Sequence, residues 1–157
     1  MANNEDSTPT SAAEQTAVDA VEFLSHAPTT GMDAVLGLQP IEAGPDGITS
    51  VLQITDAHHQ PFGIVHGGVY CAIGESVASQ SAFLWLHDTG IGGTAVGVNN
   101  NTDFLRSITS GTITAVSTPI HRGRRQQLWA VEMSDEQGRP LARSQVRLQN
   151  IELPAGS

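Results

Sequence analysis

The stretch from Gly67-Gly68 to residue 87 decides most of what this chain can become. It is long enough for about six helical turns, and Val69, Ala72, Ile73, Val77, Ala78, Ala82, Phe83, Leu84, Trp85 and Leu86 leave it almost no polar face. A surface helix keeps one side for water, so a helix that is apolar nearly all round has to be covered on several sides. It does not read as a membrane span, because Glu75, Ser76, Ser79, Gln80 and Ser81 interrupt the apolar run. Something else in the chain must wrap it.

Strands supply the wrapping. Residues 38–43 and 48–54 flank the turn Gly44-Pro45-Asp46-Gly47 and read as a hairpin. After the helix the apolar period falls to two, most plainly in Thr112-Ile113-Thr114-Ala115-Val116 and Leu128-Trp129-Ala130-Val131. That alternation predicts four strands, over 94–105, 111–121, 125–134 and 140–152. Two strands, one helix and four strands make an α+β fold in which an antiparallel sheet wraps a buried helix. Upstream, residues 1–11 read as a disordered acidic leader, and apolar residues at helical spacing up to Pro28 predict an N-terminal helix. At 157 residues, the remainder, 12–157, is expected to form one domain.

Charge removes some functions. The formal net charge is −9, lysine is absent, and all seven arginines lie after Leu105, while five acids and no base fall in the first twenty-seven residues. General nucleic-acid binding needs a field of basic side chains on phosphates and is not expected; a local arginine patch for one phosphorylated ligand is compatible. Cys71 is the sole cysteine, which leaves no internal disulfide and reads as a small buried hydrophobe. The first twenty-five residues have neither a basic start nor an apolar run, so no secretory signal and a cytoplasmic location are expected.

Three polar features stand where the core should be dry. Gly67-Gly68 opens the helix with unobstructed N–H groups at the positive end of its dipole, a ready site for an oxyanion. Glu75 lies in mid-helix with no Lys or Arg before Arg106 to pair it, so it must be paired from afar, protonated or open to a cavity. Ser79 follows one turn later, where a hydroxyl can hold water against the carboxylate. Plainer readings exist: a tight turn for the glycines, a distal arginine for Glu75, a backbone hydrogen bond for His66, and no role for Gln60. Gly67 and Glu75 are eight residues apart, about 12 Å along a helix, and one carbonyl cannot lie within ~3 Å of both. If both serve one reaction, Glu75 must come from a second copy of the chain. Joining two sheets edge to edge would also cover an open strand edge.

The run His59-Gln60-Pro61-Phe62-Gly63-Ile64-Val65-His66-Gly67-Gly68-Val69 with Glu75 beyond it, supported by Asn99-Asn100-Asn101 and His121-Arg122-Gly123-Arg124, resembles the hotdog-fold acyl-CoA thioesterases. The similar branch is PaaI-like and includes the 4-hydroxybenzoyl-CoA and 1,4-dihydroxy-2-naphthoyl-CoA thioesterases; the likeness spans roughly 38–153. It implies a hotdog fold and hydrolysis of an acyl-CoA, with aromatic acyl groups favoured and menaquinone synthesis one possible setting. By that resemblance the Gly67 N–H polarises the thioester carbonyl, Gln60 is a second donor and His66 orients it. Glu75 of a neighbouring subunit is nucleophile or general base, and Ser79 positions water. Arg106, Ser117, Thr118, His121, Arg122 and Arg124 would receive the coenzyme A nucleotide. Coenzyme A is part of the substrate, so no other cofactor and no metal is expected. The implied assembly is an obligate homodimer, paired again into a homotetramer, with neither nucleic acid nor membrane as partner.

Other patterns lead less far. Gly90-Ile91-Gly92-Gly93-Thr94-Ala95 has the spacing of a dinucleotide fingerprint but follows a helix and opens a strand, the reverse of the needed context. Gly74-Glu75-Ser76-Val77-Ala78 is one residue short of a nucleophile elbow and lies inside a helix. His58, His59 and His66 lack a carboxylate to complete a metal set. Two other functions fit the same fold: a non-catalytic acyl-CoA-binding module, and a hydratase or dehydratase.

Overall fold

The computed structural model describes Leu24 and residues 31–152. The expected leader and most of the expected N-terminal helix lie outside the described residues; Leu24 is helical and packs against the core. The elements run α1 (Met32–Leu36), β1 (Leu38–Gly44), β2 (Gly47–Gln53), a 3-10 turn (Asp56–His58), α2 (Gly67–Asp88), β3 (Thr94–Phe104), β4 (Thr112–Arg122), β5 (Gln126–Ser134) and β6 (Pro140–Ile151). The strands form one antiparallel sheet in the order β1-β2-β4-β5-β6-β3. This is the hotdog arrangement, with α2 as the filling.

Alternation on the inner strands supplies the dry wall. Ile48 and Leu52 of β2, Ile113 and Ala115 of β4, Trp129, Val131 and Met133 of β5, and Ala142, Val146 and Leu148 of β6 are all buried. Against them α2 turns Tyr70, Ile73, Gly74, Val77, Ala78, Ser81, Ala82 and Leu86, a stripe at three- and four-residue spacing. Within one chain the helix is therefore buried on one side, while Val69, Ala72, Leu84 and Trp85 on its remaining surface are only partly covered. Gly74 is in the stripe because a side chain there would collide with Ser144 of β6, whose Cβ would lie 2.8 Å away.

Two short elements escaped the periodic reading. Five residues hold too few turns of helix to show a period, yet α1 docks on α2 through Asp33, which accepts hydrogen bonds from Ser76 and Gln80. The 3-10 turn closes around His58. This imidazole accepts from the Thr55 N–H and donates to the Leu36 carbonyl at 2.9 Å each.

β3 differs from the other long strands. Among the described residues it sits at the sheet edge, paired only with β6, and has no buried residue. A bulge between Gly97 and Asn99 interrupts its register.

Candidate functional site

At the start of α2 the sequence builds a cap and leaves one amide over. His66 is the N-cap, and its Nδ1 accepts from the Gly68 N–H at 2.8 Å. Val69 N–H bonds back to the His66 carbonyl. Among the described residues the Gly67 N–H has no acceptor. A Cβ on Gly68 would lie 2.9 Å from His66 Nδ1, which would have to shift, and one on Gly67 would lie 3.1 Å from the Phe104 ring, which would have to give by a few tenths of an ångström. The free amide therefore stands at the positive end of a 22-residue helix with nothing of its own across it.

A cavity of about 430 Å³ lies at that end, lined by residues that include Gln60, His66, Gly67, Tyr70, Phe104 and Arg106. The backbone of Gln60 closes the loop before the helix, bonding with Ile64 and Gly63 at 2.9 Å. Among the described residues the buried Tyr70 hydroxyl has no hydrogen-bond partner. Burial pushes its pKa above the ordinary tyrosine value, so it is a neutral phenol at working pH.

Glu75 is elsewhere. Two turns farther along α2, its Oε2 accepts from Asn100 Nδ2 of β3 at 3.1 Å. The residue is partly covered, and among the described residues no ion pair involves it. The distal-arginine reading of Glu75 therefore finds no support. The side chain of Ser79, in the following turn, makes no hydrogen bond among the described residues, and the residue is partly exposed. One chain brings Gln60, His66, Gly67 and Arg106 together and leaves Glu75 and Ser79 apart from them.

A family model described as the thioesterase superfamily matches residues 62–142. The chain belongs to the thioesterase superfamily. This thioesterase is 56% identical over 124 residues to a Mycobacterium tuberculosis protein provisionally named an esterase, covering 79% of this chain and 89% of that one. The solved structure of that protein superposes with a TM-score of 0.75 at 55% identity, covering 78% of this chain and 97% of the other. A Haemophilus influenzae thioesterase superposes with a TM-score of 0.79 at 31% identity over 87% and 94% of the two chains. The E. coli PaaI protein, from a phenylacetic acid degradation operon, shares the fold at a TM-score of 0.75 and 17% identity over 89% and 96%. Hydrolysis of the thioesterase or esterase type is thus the chemistry of this chain's family. No helix among the described residues is long and apolar enough to cross a membrane.

Two residues of the expected nucleotide set are held by neighbours within the chain. Ser117 is buried, 3% exposed, and its hydroxyl bonds Ser81 and the Ile48 N–H at 2.7 Å each; it ties β4 to β2 and α2 and faces no opening. Arg122 bonds Asp46 at 2.7 Å and the Pro45 carbonyl at 2.9 Å. Its guanidinium also lies 5.7 Å and 6.0 Å from the Trp85 and Trp129 rings, so Nη1 and the planar group are engaged within the fold. Thr118, His121 and Arg124 are exposed. They flank Arg122, whose guanidinium lies by Trp85 in the last turn of α2, whereas Arg106 lines the cavity at the helix's N-terminal end. His58 and His59 diverge toward the Leu36 and Thr109 carbonyls.

The sequence reading gave no individual role to Gly97, Asn100, Thr102 or Ser144, which lie in a line behind Glu75. The one available signal was three consecutive asparagines in a strand, where asparagine is disfavoured.

Proposed function

We propose that the protein hydrolyses acyl-CoA thioesters, preferring aromatic acyl groups, at a site shared between two copies of the chain. The observation that carries this reading is the unpaired Gly67 N–H beside a cavity, on the same helix as an arginine-free carboxylate. In one copy the Gly67 N–H, assisted by Gln60, polarises the thioester carbonyl, and His66 fixes that amide by capping the helix. The second copy offers Glu75 to the carbonyl carbon, either directly as nucleophile or as general base for a water positioned by Ser79. The C–S bond breaks, coenzyme A leaves as the thiol, and water completes the free acid. Coenzyme A enters as part of the substrate; Arg106 at the cavity, with Thr118, His121 and Arg124 as further candidates, meets its phosphates.

A two-fold axis beside β3 would produce this assembly. Antiparallel helices related by an axis near Cys71, midway between Gly67 and Glu75, would place each glycine opposite the other copy's carboxylate. β3 offers an unpaired edge with Val96 and Val98 exposed and Phe104 57% exposed, the kind of surface a second strand covers. A further pairing into a dimer of dimers and a cytoplasmic location belong to the same reading.

The test is thiol release from benzoyl-CoA, followed with a thiol reagent. Wild type should release coenzyme A, and Glu75→Ala should lower kcat at least about 100-fold. Unchanged release by the variant would remove Glu75 from the reaction. Tight benzoyl-CoA binding without release by wild type would make the protein a binding module.

A further inference from the structure

We propose that Asn100 is a positioning residue for Glu75, fed by a one-way hydrogen-bond chain from Ser144 through Thr102, and that Gly97 is the slot in which the carboxylate rests. This rests on the catalytic reading of Glu75 above.

The direction of the chain follows from counting protons. Asn100 Nδ2 has two hydrogens, and both are used: one on Glu75 Oε2 at 3.1 Å, one on the Cys71 carbonyl at 3.0 Å. Its Oδ1 accepts from Thr102 Oγ1 at 2.8 Å. That spends the single Thr102 hydroxyl proton, so in the 2.7 Å contact between Thr102 and Ser144 the serine must be the donor. Ser144 is fully buried beneath Gly74, which has no side chain to displace it. Every link points toward the carboxylate, and such a chain strengthens its last bond by polarisation. It also fixes which way the Asn100 amide faces: a flipped amide would set its oxygen against Glu75.

The slot follows from the bulge. On β6 the inward residues Ala142, Ser144, Val146 and Leu148 pair with Phe104, Thr102, Asn100 and Gly97 of β3. Simple alternation would put Gly97 and Asn100 on opposite faces, since they are three apart. The extra residue at Val98 brings both to the helix side. A Cβ on Gly97 would fall onto Glu75 Oε1 and lie 2.8 Å from its Cδ, so any other residue there evicts the carboxylate. Gly97 is outside the left-handed region, and space alone demands the glycine. Around the carboxylate, β3 presents no titratable side chain at Gly97, Asn100 or Thr102, and β6 presents Ser144. On α2 Cys71 stands one turn below, and Asp33 of α1 is engaged with Ser76 and Gln80.

The test is steady-state hydrolysis of benzoyl-CoA across pH by wild type, Asn100→Asp, Gly97→Ala, Thr102→Val and Glu75→Ala, with urea midpoints alongside. Asn100→Asp keeps the shape and replaces a donor with a second acid, so kcat should fall at least 30-fold, KM should stay within threefold, and the acid limb should move upward. Gly97→Ala should show the same kcat loss with an unchanged midpoint, and Thr102→Val a smaller loss in the same direction. If Asn100→Asp and Gly97→Ala both keep wild-type kcat and acid limb while Glu75→Ala is inactive, the positioning role is wrong and the catalytic reading of Glu75 survives. If Glu75→Ala itself remains active, both fall. Should Asn100→Asp not fold, Gly97→Ala decides alone.

Discussion

The two flanks of α2 make opposite use of one helix. Toward β2, β4, β5 and β6 it presents Ile73, Val77, Ala78, Ala82 and Leu86, all fully buried, and the Ser81 hydroxyl among them is satisfied by Ser117 and the Val77 carbonyl. Toward β3 it presents Gly67 and Glu75, which meet Phe104, Gly97 and Asn100. The inner strands have neighbours on both edges, so their contribution to the helix is dispersion and exclusion of water. The edge strand has no neighbour on one side, and polar groups along it retain access to substrate or to a second chain. Stability and chemistry should therefore separate by flank.

The dry flank gives the larger stability effect. Ile73→Ala should cost about 2–5 kcal/mol in urea unfolding, by lost transfer energy and the cavity left behind, while kcat per folded molecule stays within about twofold. A comparable loss of kcat in folded Ile73→Ala would break the division between flanks. On the wet flank His66→Ala removes the cap on Gly68 and should cost only about 1 kcal/mol, yet lower kcat more than it lowers stability, as seen by comparing urea midpoints with thiol release.

Asp135, remote from both flanks, is the control and the smallest effect. Burial raises its pKa, but the backbone and side chain of Arg139, the Gln137 N–H and the Arg139 charge outweigh that and hold it below the usual carboxylate range. A depressed pKa contributes stability above the unfolded value that is lost as pH falls through the folded one. Asp135→Asn should thus unfold at lower urea than wild type at neutral pH, with the gap closing in acid below the ordinary carboxylate range and kcat unchanged throughout.

The fold was legible because its signals are periodic. The all-apolar helix demanded a wrapper and the period-two runs supplied it, so the ends of the six strands lie within one residue of their expected positions. Strand order was not legible, since β3 finds β6 across two intervening strands in sequence. At the site, Gly67 and Glu75 stood out as residues that a dry helix does not need. Asn100 did not, because the bulge at Val98 breaks the alternation by which strand residues are assigned to faces. Ser117 and Arg122 show another limit: whether a hydroxyl or a guanidinium near a strand end is already held within the chain depends on neighbours distant in sequence. Ser81, Asp46 and Trp85 are all more than thirty residues away in sequence.

Arg122 carries a consequence for how the molecule opens. β1 is the far edge of the sheet and leans on β2, while Arg122 pins the Pro45–Asp46 tip of that hairpin over two indole rings near the end of the helix. With the pin in place the outermost pair of strands is held by its tip as well as by its ladder. Without it the hairpin becomes the loosest peel of the sheet, exchanging its amide protons first, and a lysine could reach the turn but has no flat guanidinium to lie over the rings.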